Sequence, residues 1–228
     1  MKLSEKLLNL FFPPKCPFCV RVQDSVGICV ICEKELPWTK EGETLWEGTG
    51  GVRCVAPLWY EEKARDGLLR LKFQGVSAAA KPIGALIARC AAEHFSGEFD
   101  TVTWVPVSRK RLRKRGYDQA ELLTRSACCL WETEPLRLLV KVVDNPAQSG
   151  LTDAAARRAN VLGVYEIARG GEVTGKRILL VDDICTTGAT LAECVRVLRD
   201  AGASDVVCAV AARARERKKV HKIEREWA

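Results

Sequence analysis

Two adjacent carboxylates, Asp182 and Asp183, follow a run of apolar residues at positions 178–181 and precede a loop of small and hydroxyl residues. An apolar run without polar alternation is typical of a strand buried on both faces in a parallel sheet. Apolar residues recur at helical spacing after the loop and stop at Gly202, which predicts a helix. Ligands of open α/β sheets bind beyond the carboxyl ends of the strands, so we predict a ligand site here.

The loop itself has the composition of a phosphate site at a helix N-terminus, where hydroxyls and backbone N–H groups are available. Its residues are Thr186, Thr187, Gly188, Ala189 and Thr190. The two acids beside it would repel a phosphate unless they bind hydroxyl groups or a cation, and a phosphorylated sugar with a free diol satisfies both demands. The Gly-Lys-Ser/Thr of a P-loop is absent from this loop, which argues against a nucleoside triphosphatase.

Two other interpretations of the acid pair were weighed. An ordinary buried strand can end in two acids by chance. A receiver domain also has a strand that ends in paired acids, but that strand opens the domain, and an acceptor Asp and a Lys must follow on later strands. Here only one further strand, near residues 206–211, fits before the charged tail. We therefore set the receiver domain aside.

Four cysteines near the N-terminus form the second candidate site. Cys16 and Cys19 make one CxxC pair, and Cys29 and Cys32 make another after nine intervening residues. Four thiolates close a tetrahedral shell with no open position, which favours structural zinc, although an iron–sulfur cluster uses the same ligands. Four unrelated reduced cysteines are the remaining alternative. The other seven cysteines stand in apolar surroundings, where they are expected to be buried thiols.

A third feature is a dense basic run, with six Lys or Arg residues among residues 109–115, directly after a predicted strand at residues 101–107. So many neighbouring cations repel one another unless a polyanion neutralises them. Pyrophosphate or a nucleic-acid backbone would do so, and a solvated helix face is the alternative. We place this run in the loop that leaves the strand and enters the next helix.

The whole chain has 228 residues, 47% of them hydrophobic, and a formal charge of +7. This length allows one α/β domain of ordinary size and a small accessory module. No apolar run is long enough to span a membrane, and the N-terminus lacks the features of a signal peptide. We therefore expect no membrane insertion, a cytoplasmic location and reduced cysteines.

These features divide the chain into four predicted parts. Residues 1–50 hold an amphipathic N-terminal helix and the four-cysteine zinc module, and residues 51–100 form a helical segment that leads into the core. Residues 101–212 form the core, and residues 213–228 form a basic tail with seven Lys or Arg residues. In the core, we predict a strand at residues 136–143, a long loop or short helix at 144–160, and a segment at 165–168 that can pair with another strand.

The strand, acid pair and Thr-Thr-Gly-Ala-Thr loop resemble the signature with which type I phosphoribosyltransferases bind phosphoribosyl pyrophosphate (PRPP). More of the chain resembles the ComF (ComFC-like) competence family. The resembling segments are the two CxxC pairs, Leu71-Lys72-Phe73-Gln74-Gly75, Val105-Pro106-Val107-Ser108 with the basic run through Gln119, Gln148-Ser149-Gly150-Leu151 with Arg157 and Asn160, and the acid loop. One departure is the segment 145–148, where Asn and Ala stand in place of the expected hydroxyl residues.

The resemblance implies a type I phosphoribosyltransferase fold, which is a doubly wound, mostly parallel α/β sheet, with a small zinc-ribbon-like module at the N-terminus. It also implies Mg²⁺-assisted displacement of pyrophosphate from C1 of PRPP by a nitrogen nucleophile. Asp182 and Asp183 would hold the ribose hydroxyls, and the loop from Thr186 to Thr190 would hold the 5′-phosphate. Ser108, Arg109 and Lys110 would bind pyrophosphate, with Arg109 counted as catalytic beside the two acids.

A function of another class remains open. The chain could bind PRPP without transferring it and act as a module that binds single-stranded DNA or a competence helicase. The basic segments suit a DNA backbone, but single-strand binders usually add stacking aromatic residues, and these segments offer only Tyr117, just after the first run, and Trp227 in the tail. Release of pyrophosphate in the presence of one particular base would favour the enzyme.

Overall fold

A computed structural model describes residues 13–73, 77–144 and 161–215. The helices in these residues are α1 (Val30–Glu35), α2 (Glu62–Phe73), α3 (Ala80–His94), α4 (Arg109–Arg115), α5 (Gln119–Cys128) and α6 (Ala189–Asp200). The strands are β1 (Leu45–Gly48), β2 (Val52–Val55), β3 (Leu58–Trp59), β4 (Thr101–Trp104), β5 (Leu139–Lys141), β6 (Tyr165–Ile167), β7 (Arg177–Cys185) and β8 (Asp205–Arg213). No helix in these ranges is both long enough and apolar enough to cross a membrane.

The main sheet has the strand order β1-β2-β8-β7-β4, and β3 also pairs with β8. Strands β2, β8, β7 and β4 run parallel to their neighbours, while β1 is antiparallel to β2. Strand β7 lies inside the sheet because β8 and β4 flank it. The mostly parallel α/β sheet predicted from the sequence is therefore confirmed.

Strand β7 explains why its apolar run shows no polar alternation. Ile178 and Leu180 pack into the core on one side of the sheet, with apolar residues of α6, β5 and β6. Leu179 and Val181 pack into the core on the other side, with residues of α2, α3, α5 and the cysteine segment. Because successive side chains of a strand point to opposite faces, a strand covered on both faces must be apolar at every position.

A glycine lets the helices α3 and α5 approach each other closely. A Cβ atom on Gly84 of α3 would lie 2.7 Å from the carbonyl oxygen of Leu123 and 2.6 Å from Cβ of Ser126, both on α5. Any larger residue would push the helices apart, because backbone atoms cannot move aside as a flexible side chain can. This contact fixes α5, and so fixes the segment that connects α5 with the basic helix α4.

Several local predictions differ from the structure. The basic run forms a helix of its own, α4, instead of lying in a loop, because Ser108 caps its first turn and Gly116 ends it with φ +80°. The strand predicted at 136–143 shortens to β5, which pairs with β6 in a separate two-stranded antiparallel sheet. The pairing expected for 165–168 is thereby confirmed.

The main sheet also contains strands that lie outside residues 101–212, since β2 pairs in parallel with β8. The four-part division of the chain stays a prediction. Arg213, where the predicted tail begins, is the last residue of β8 and only 7% exposed. The predicted N-terminal helix at 1–12, the loop at 145–160 and the tail beyond residue 215 lie outside the described residues.

Candidate functional site

The acid pair lies at the carboxyl end of β7, inside the sheet. Asp182 is 8% exposed and Asp183 is 4% exposed. The backbone N–H of Asp183 donates a hydrogen bond of 2.8 Å to Oδ1 of Asp182, which holds the two side chains in a fixed relation. Burial raises the pKa of Asp182 well above its usual range, and the neighbouring charge of Asp183 raises it further. Two buried carboxylates side by side require a cation or hydroxyl donors.

One such cation comes from the protein itself. The ammonium nitrogen of Lys72, near the end of α2, lies 3.1 Å from Oδ2 of Asp183. The attraction of Asp183 raises the pKa of Lys72, so the lysine stays charged. Oδ2 of Asp183 is buried, so the lysine is in direct contact with an oxygen that is shielded from solvent. A ligand hydroxyl or cation that binds this oxygen would share it with Lys72 or displace the lysine.

The loop after β7 supplies hydroxyl and N–H groups. Gly188 adopts φ +72° and precedes α6, whose first turn receives no side-chain cap. The first N–H groups of an uncapped helix, with the partial positive charge of the helix dipole, are suited to an anion. Oγ1 of Thr187 is buried and has no hydrogen-bond partner among the residues that the structure describes. An unsatisfied buried hydroxyl beside an uncapped helix N-terminus fits a phosphate oxygen.

The indole ring of Trp46 on β1 covers this loop. A Cβ atom on Gly188 would lie 2.3 Å from Cη2 of Trp46. Glycine is therefore needed at this position both for its positive φ and for the close approach of the ring. Nothing in the sequence linked Trp46 to the loop, since Trp46 and Gly188 are 142 positions apart.

The residues predicted to bind pyrophosphate lie after β4, which is next to β7, so they are at the same edge of the sheet. The hydroxyl of Ser108 donates a hydrogen bond to Oδ1 of Asp144, and the Lys110 ammonium lies 3.7 Å from Oδ2 of the same carboxylate. The Ser108 hydroxyl, followed by the charge of Lys110, lowers the pKa of Asp144. Arg109 is exposed. Other cations of α4, namely Arg111, Lys114 and Arg115, line a pocket with Lys72.

A second buried lysine lies on the opposite side of the sheet. Lys141 on β5 is 8% exposed, and its ammonium lies 5.3 Å from the centre of the Tyr165 ring. Burial, and then the positive charge of Arg111, lowers the pKa of Lys141 to about 8. Sequence reasoning missed this lysine, because a lone Lys in a short predicted strand belongs to no motif.

The four cysteines of the two CxxC pairs come together as predicted. Their sulfur atoms all lie within 4.8 Å of one another, and Sγ of Cys19 is 3.6 Å from Sγ of Cys29. A tetrahedral zinc with bonds of about 2.3 Å places its sulfurs about 3.8 Å apart, so the cluster has the dimensions of such a site. The N–H of Cys32 lowers the pKa of Cys29 to about 7. The cluster can therefore hold a metal such as zinc.

The cluster is part of the core. Cys16 and Cys32 are fully buried, and Phe18 packs in the same core cluster as α2 and α3. The side chain of Arg70 on α2 donates a hydrogen bond to the carbonyl oxygen of Phe18. Lys72, which contacts the acid pair, is two residues further along the same helix. The metal cluster and the acid pair are therefore joined through α2.

Comparisons with known proteins agree with this geometry. A model of the phosphoribosyl transferase domain matches residues 112–226. "Competence protein ComFC" of Streptococcus pneumoniae is 30% identical over 191 residues, which are 84% of this chain and 77% of that protein. "Competence protein F" of Haemophilus influenzae is 28% identical over 199 residues, 84% of this chain and 86% of that protein. "DNA utilization protein YhgH" of Escherichia coli O157:H7 is 30% identical over 111 residues, 47% of this chain and 46% of that protein.

A mostly parallel sheet whose inner strand ends in two acids and a hydroxyl-rich loop defines the class of the type I phosphoribosyltransferase fold. The four-cysteine cluster at the N-terminal side fits a zinc finger joined to that fold. The chain belongs to the ComF family of phosphoribosyl transferase domain proteins.

Proposed function

We propose that the protein binds PRPP at the carboxyl end of β7 and transfers its phosphoribosyl group to a nitrogenous acceptor, in the service of DNA uptake and natural transformation. One observation carries the proposal. A buried acid pair, one member of which is ion-paired with Lys72, lies beside an uncapped helix N-terminus and the unsatisfied hydroxyl of Thr187. These groups complement a sugar diol and a phosphate on one molecule.

In the proposed reaction, Asp182 and Asp183 accept hydrogen bonds from the ribose hydroxyls and hold C1 at a fixed distance from the loop. The backbone N–H groups at the start of α6 and the hydroxyls of Thr186, Thr187 and Thr190 hold the 5′-phosphate. The acceptor nitrogen bonds to C1, the C1–O bond breaks with both electrons going to pyrophosphate, and the acceptor's proton passes to solvent.

Negative charge grows on the leaving pyrophosphate, so cations placed there in advance lower the barrier. Ser108, Arg109 and Lys110 follow β4 at the same edge of the sheet as the acid pair, and they are our proposed pyrophosphate residues. A bound Mg²⁺ would supply further neutralisation of that charge, and the carboxylate oxygens of Asp182 and Asp183 are ligand atoms of the hard type that Mg²⁺ prefers.

For the cysteine cluster we propose structural zinc, since four sulfur ligands leave no coordination position for chemistry. Its task is to fix residues 16–36 against α2, the helix that carries Lys72. We also propose a cytoplasmic location, where the cysteine thiols remain reduced.

The test of PRPP binding is calorimetry with PRPP and Mg²⁺ on the zinc-loaded chain. We expect the double variant Asp182→Asn, Asp183→Asn to lose about 100-fold in affinity, since two charge-assisted hydrogen bonds of about 1.5 kcal/mol each are weakened. Asp100→Asn is the matched control, because Asp100 precedes β4 at the opposite edge of the sheet and is paired with Arg177. Unchanged affinity in the double variant would refute the proposal.

Transfer is tested separately, by pyrophosphate release in the presence of PRPP, Mg²⁺ and a panel of nitrogenous bases. Release that depends on one base establishes the enzyme.

The alternative function is a module that binds PRPP without transfer and contacts single-stranded DNA or a competence helicase. Its support is the exposed basic face of α4 together with Phe73, whose ring is 63% exposed and lies beside Arg115. Bases of a single strand stack on such rings. Absence of pyrophosphate release, with single-strand binding that weakens steeply as salt rises, would favour this function.

A further inference from the structure

A pocket of about 290 Å³ lies next to the acid pair and belongs to none of the groups discussed for the sugar or the 5′-phosphate. We call it the cationic pocket. Its lining is Lys72, Phe73, Arg111, Lys114, Arg115 and Tyr117. Four of the six side chains are cations, and the other two are aromatic rings.

The charges of the cationic pocket are compensated only in part. Lys72 is ion-paired with Asp183. The side chain of Arg115 donates a hydrogen bond of 2.8 Å to Gln119, which is neutral. No carboxylate within the described ranges is ion-paired with Lys114. Burial, together with the like charge of Arg111, lowers the pKa of Arg115. An anion in this pocket would relieve the repulsion between these cations.

The size and walls of the pocket narrow the class of anion. A volume of 290 Å³ lies at the small end of ligand sites, which fits a small molecule better than a polymer. The guanidinium of Arg115 lies 5.0 Å from the centre of the Phe73 ring, so one wall is a stacked cation and ring. The Tyr117 hydroxyl donates a hydrogen bond to the carbonyl of Leu71, which fixes a second ring. The flat faces of these two rings suit a planar ligand.

The cationic pocket also lies beside the proposed sugar site, where a molecule that accepts the phosphoribosyl group would have to bind. Lys72 lines it and at the same time touches Asp183, one of the two acids proposed to hold the ribose. A molecule in the cationic pocket is therefore one side chain away from the sugar. An effector site would have no need of this position, whereas the acceptor nitrogen must come within bonding reach of C1.

We infer that the acceptor of this protein is a small heteroaromatic molecule that carries a carboxylate group, held in the cationic pocket. The inference rests on the proposed phosphoribosyl transfer and names its substrate class. The anionic group lies against Lys114 and Arg115, the ring lies between Phe73 and Tyr117, and the ring nitrogen faces the sugar.

The test uses pairs of rings that differ in charge. The probes are nicotinate against nicotinamide and orotate against uracil, measured by calorimetry on the zinc-loaded full chain, with and without PRPP and Mg²⁺. We expect the carboxylate member of at least one pair to bind about tenfold or more tightly than its neutral partner, the effect of one charge-assisted hydrogen bond. If neither carboxylate binds better than its neutral partner, the inference is wrong.

Two variants locate the binding. Lys114→Met should abolish the preference for the carboxylate member, whereas Arg113→Met is the matched control, because Arg113 is an exposed cation of the same helix that does not line the pocket. Phe73→Leu should weaken the charged and the neutral ring alike, by about tenfold, through loss of stacking. Equal effects of Lys114→Met and Arg113→Met would overturn the inference, since the preference would then reflect general charge.

The experiment separates this inference from the proposed function. PRPP affinity that depends on Asp182 and Asp183, combined with no preference for anionic rings, leaves the sugar site standing and refutes the anionic acceptor. Inorganic pyrophosphate that binds in a Lys114-dependent manner and excludes the carboxylates would also refute it, because the cationic pocket would then hold the leaving group.

Discussion

The close approach of Trp46 to the loop between β7 and α6 gives a quantitative prediction for Gly188→Ala. Two costs add at this position. An alanine at φ +72° is in the left-handed region, which costs about 1–2 kcal/mol. Its Cβ would also lie 2.3 Å from one ring atom of Trp46 and 3.0 Å from another, and overpacking of this kind costs about 1–3 kcal/mol. We therefore expect Gly188→Ala to destabilise the protein by about 2–5 kcal/mol.

Gly97 provides a matched control that isolates the first cost. It has φ +74°, nearly the same as Gly188, but a Cβ there would meet no atom within 4 Å. Gly97→Ala should therefore cost only the backbone term of about 1–2 kcal/mol. The difference between the two variants measures the clash with the indole ring.

The assay is urea unfolding of the zinc-loaded chain at constant pH, followed by far-UV circular dichroism. The double variant Gly188→Ala, Trp46→Leu completes a cycle, and its coupling energy should recover about 1–3 kcal/mol because the ring is gone. Equal destabilisation by Gly188→Ala and Gly97→Ala, with no coupling to Trp46, would refute the packing of the ring on the loop.

The same variants connect the loop to ligand binding. A loop displaced by the clash should bind PRPP more weakly, whereas Gly97→Ala should leave the affinity unchanged, because Gly97 is in the turn after α3.

Three further predictions concern the buried charges and the cysteine cluster. Lys72→Met should lower the free energy of unfolding by up to about 3 kcal/mol in urea at pH 7, because Asp183 loses its ion-pair partner. Lys72→Arg keeps the charge and should lower this free energy less. Equal losses in the two variants would contradict a role of the charge. Cys16→Ser should remove the bound zinc seen by mass spectrometry and lower the urea midpoint, while Cys129→Ser, an exposed cysteine outside the cluster, should retain both. Lys141→Met should be more stable than the parent chain at pH 7, because the pKa of Lys141 falls from 10.5 unfolded to about 8 folded, a penalty of about 3 kcal/mol for the buried charge. That penalty disappears as the pH rises from about 8 to 10.5, so the stability of the parent chain should rise relative to that of the variant over this interval. A stability difference that does not change with pH would show that the pKa of Lys141 is the same in the folded and unfolded chain.

Much of the site could be predicted because its residues are contiguous. Asp182, Asp183 and the loop that follows are held together by the chain itself, so a strand, two acids and a helix start were recognisable from residue types alone. The two CxxC pairs are a similar case, since each pair is two ligands three positions apart, and only the meeting of the pairs depends on the fold.

Other parts were out of reach because they depend on distant segments. The basic run was recognised from the sequence, but the different surroundings of its cations were not. Lys110 contacts Asp144, whereas Lys114 lines the cationic pocket. This difference follows from the rotation of α4 about its axis. The helix itself was missed because six neighbouring cations disfavour a helix locally, and the cap by Ser108 offsets this. The short β5 leaves the main sheet for β6, which periodicity cannot reveal in so few residues.

The sequence alone determined which functional groups stand together along the chain, namely the two acids, the hydroxyl-rich loop and the four thiols, because short spacings are visible in a linear chain. Only the tertiary structure decided what surrounds them. Lys72 reaches Asp183 from α2, and Trp46 closes over Gly188 from β1. Such contacts form only because packing on both faces of the sheet brings together segments that lie about one hundred residues or more apart in the sequence, and nothing in the local residue pattern encodes that meeting.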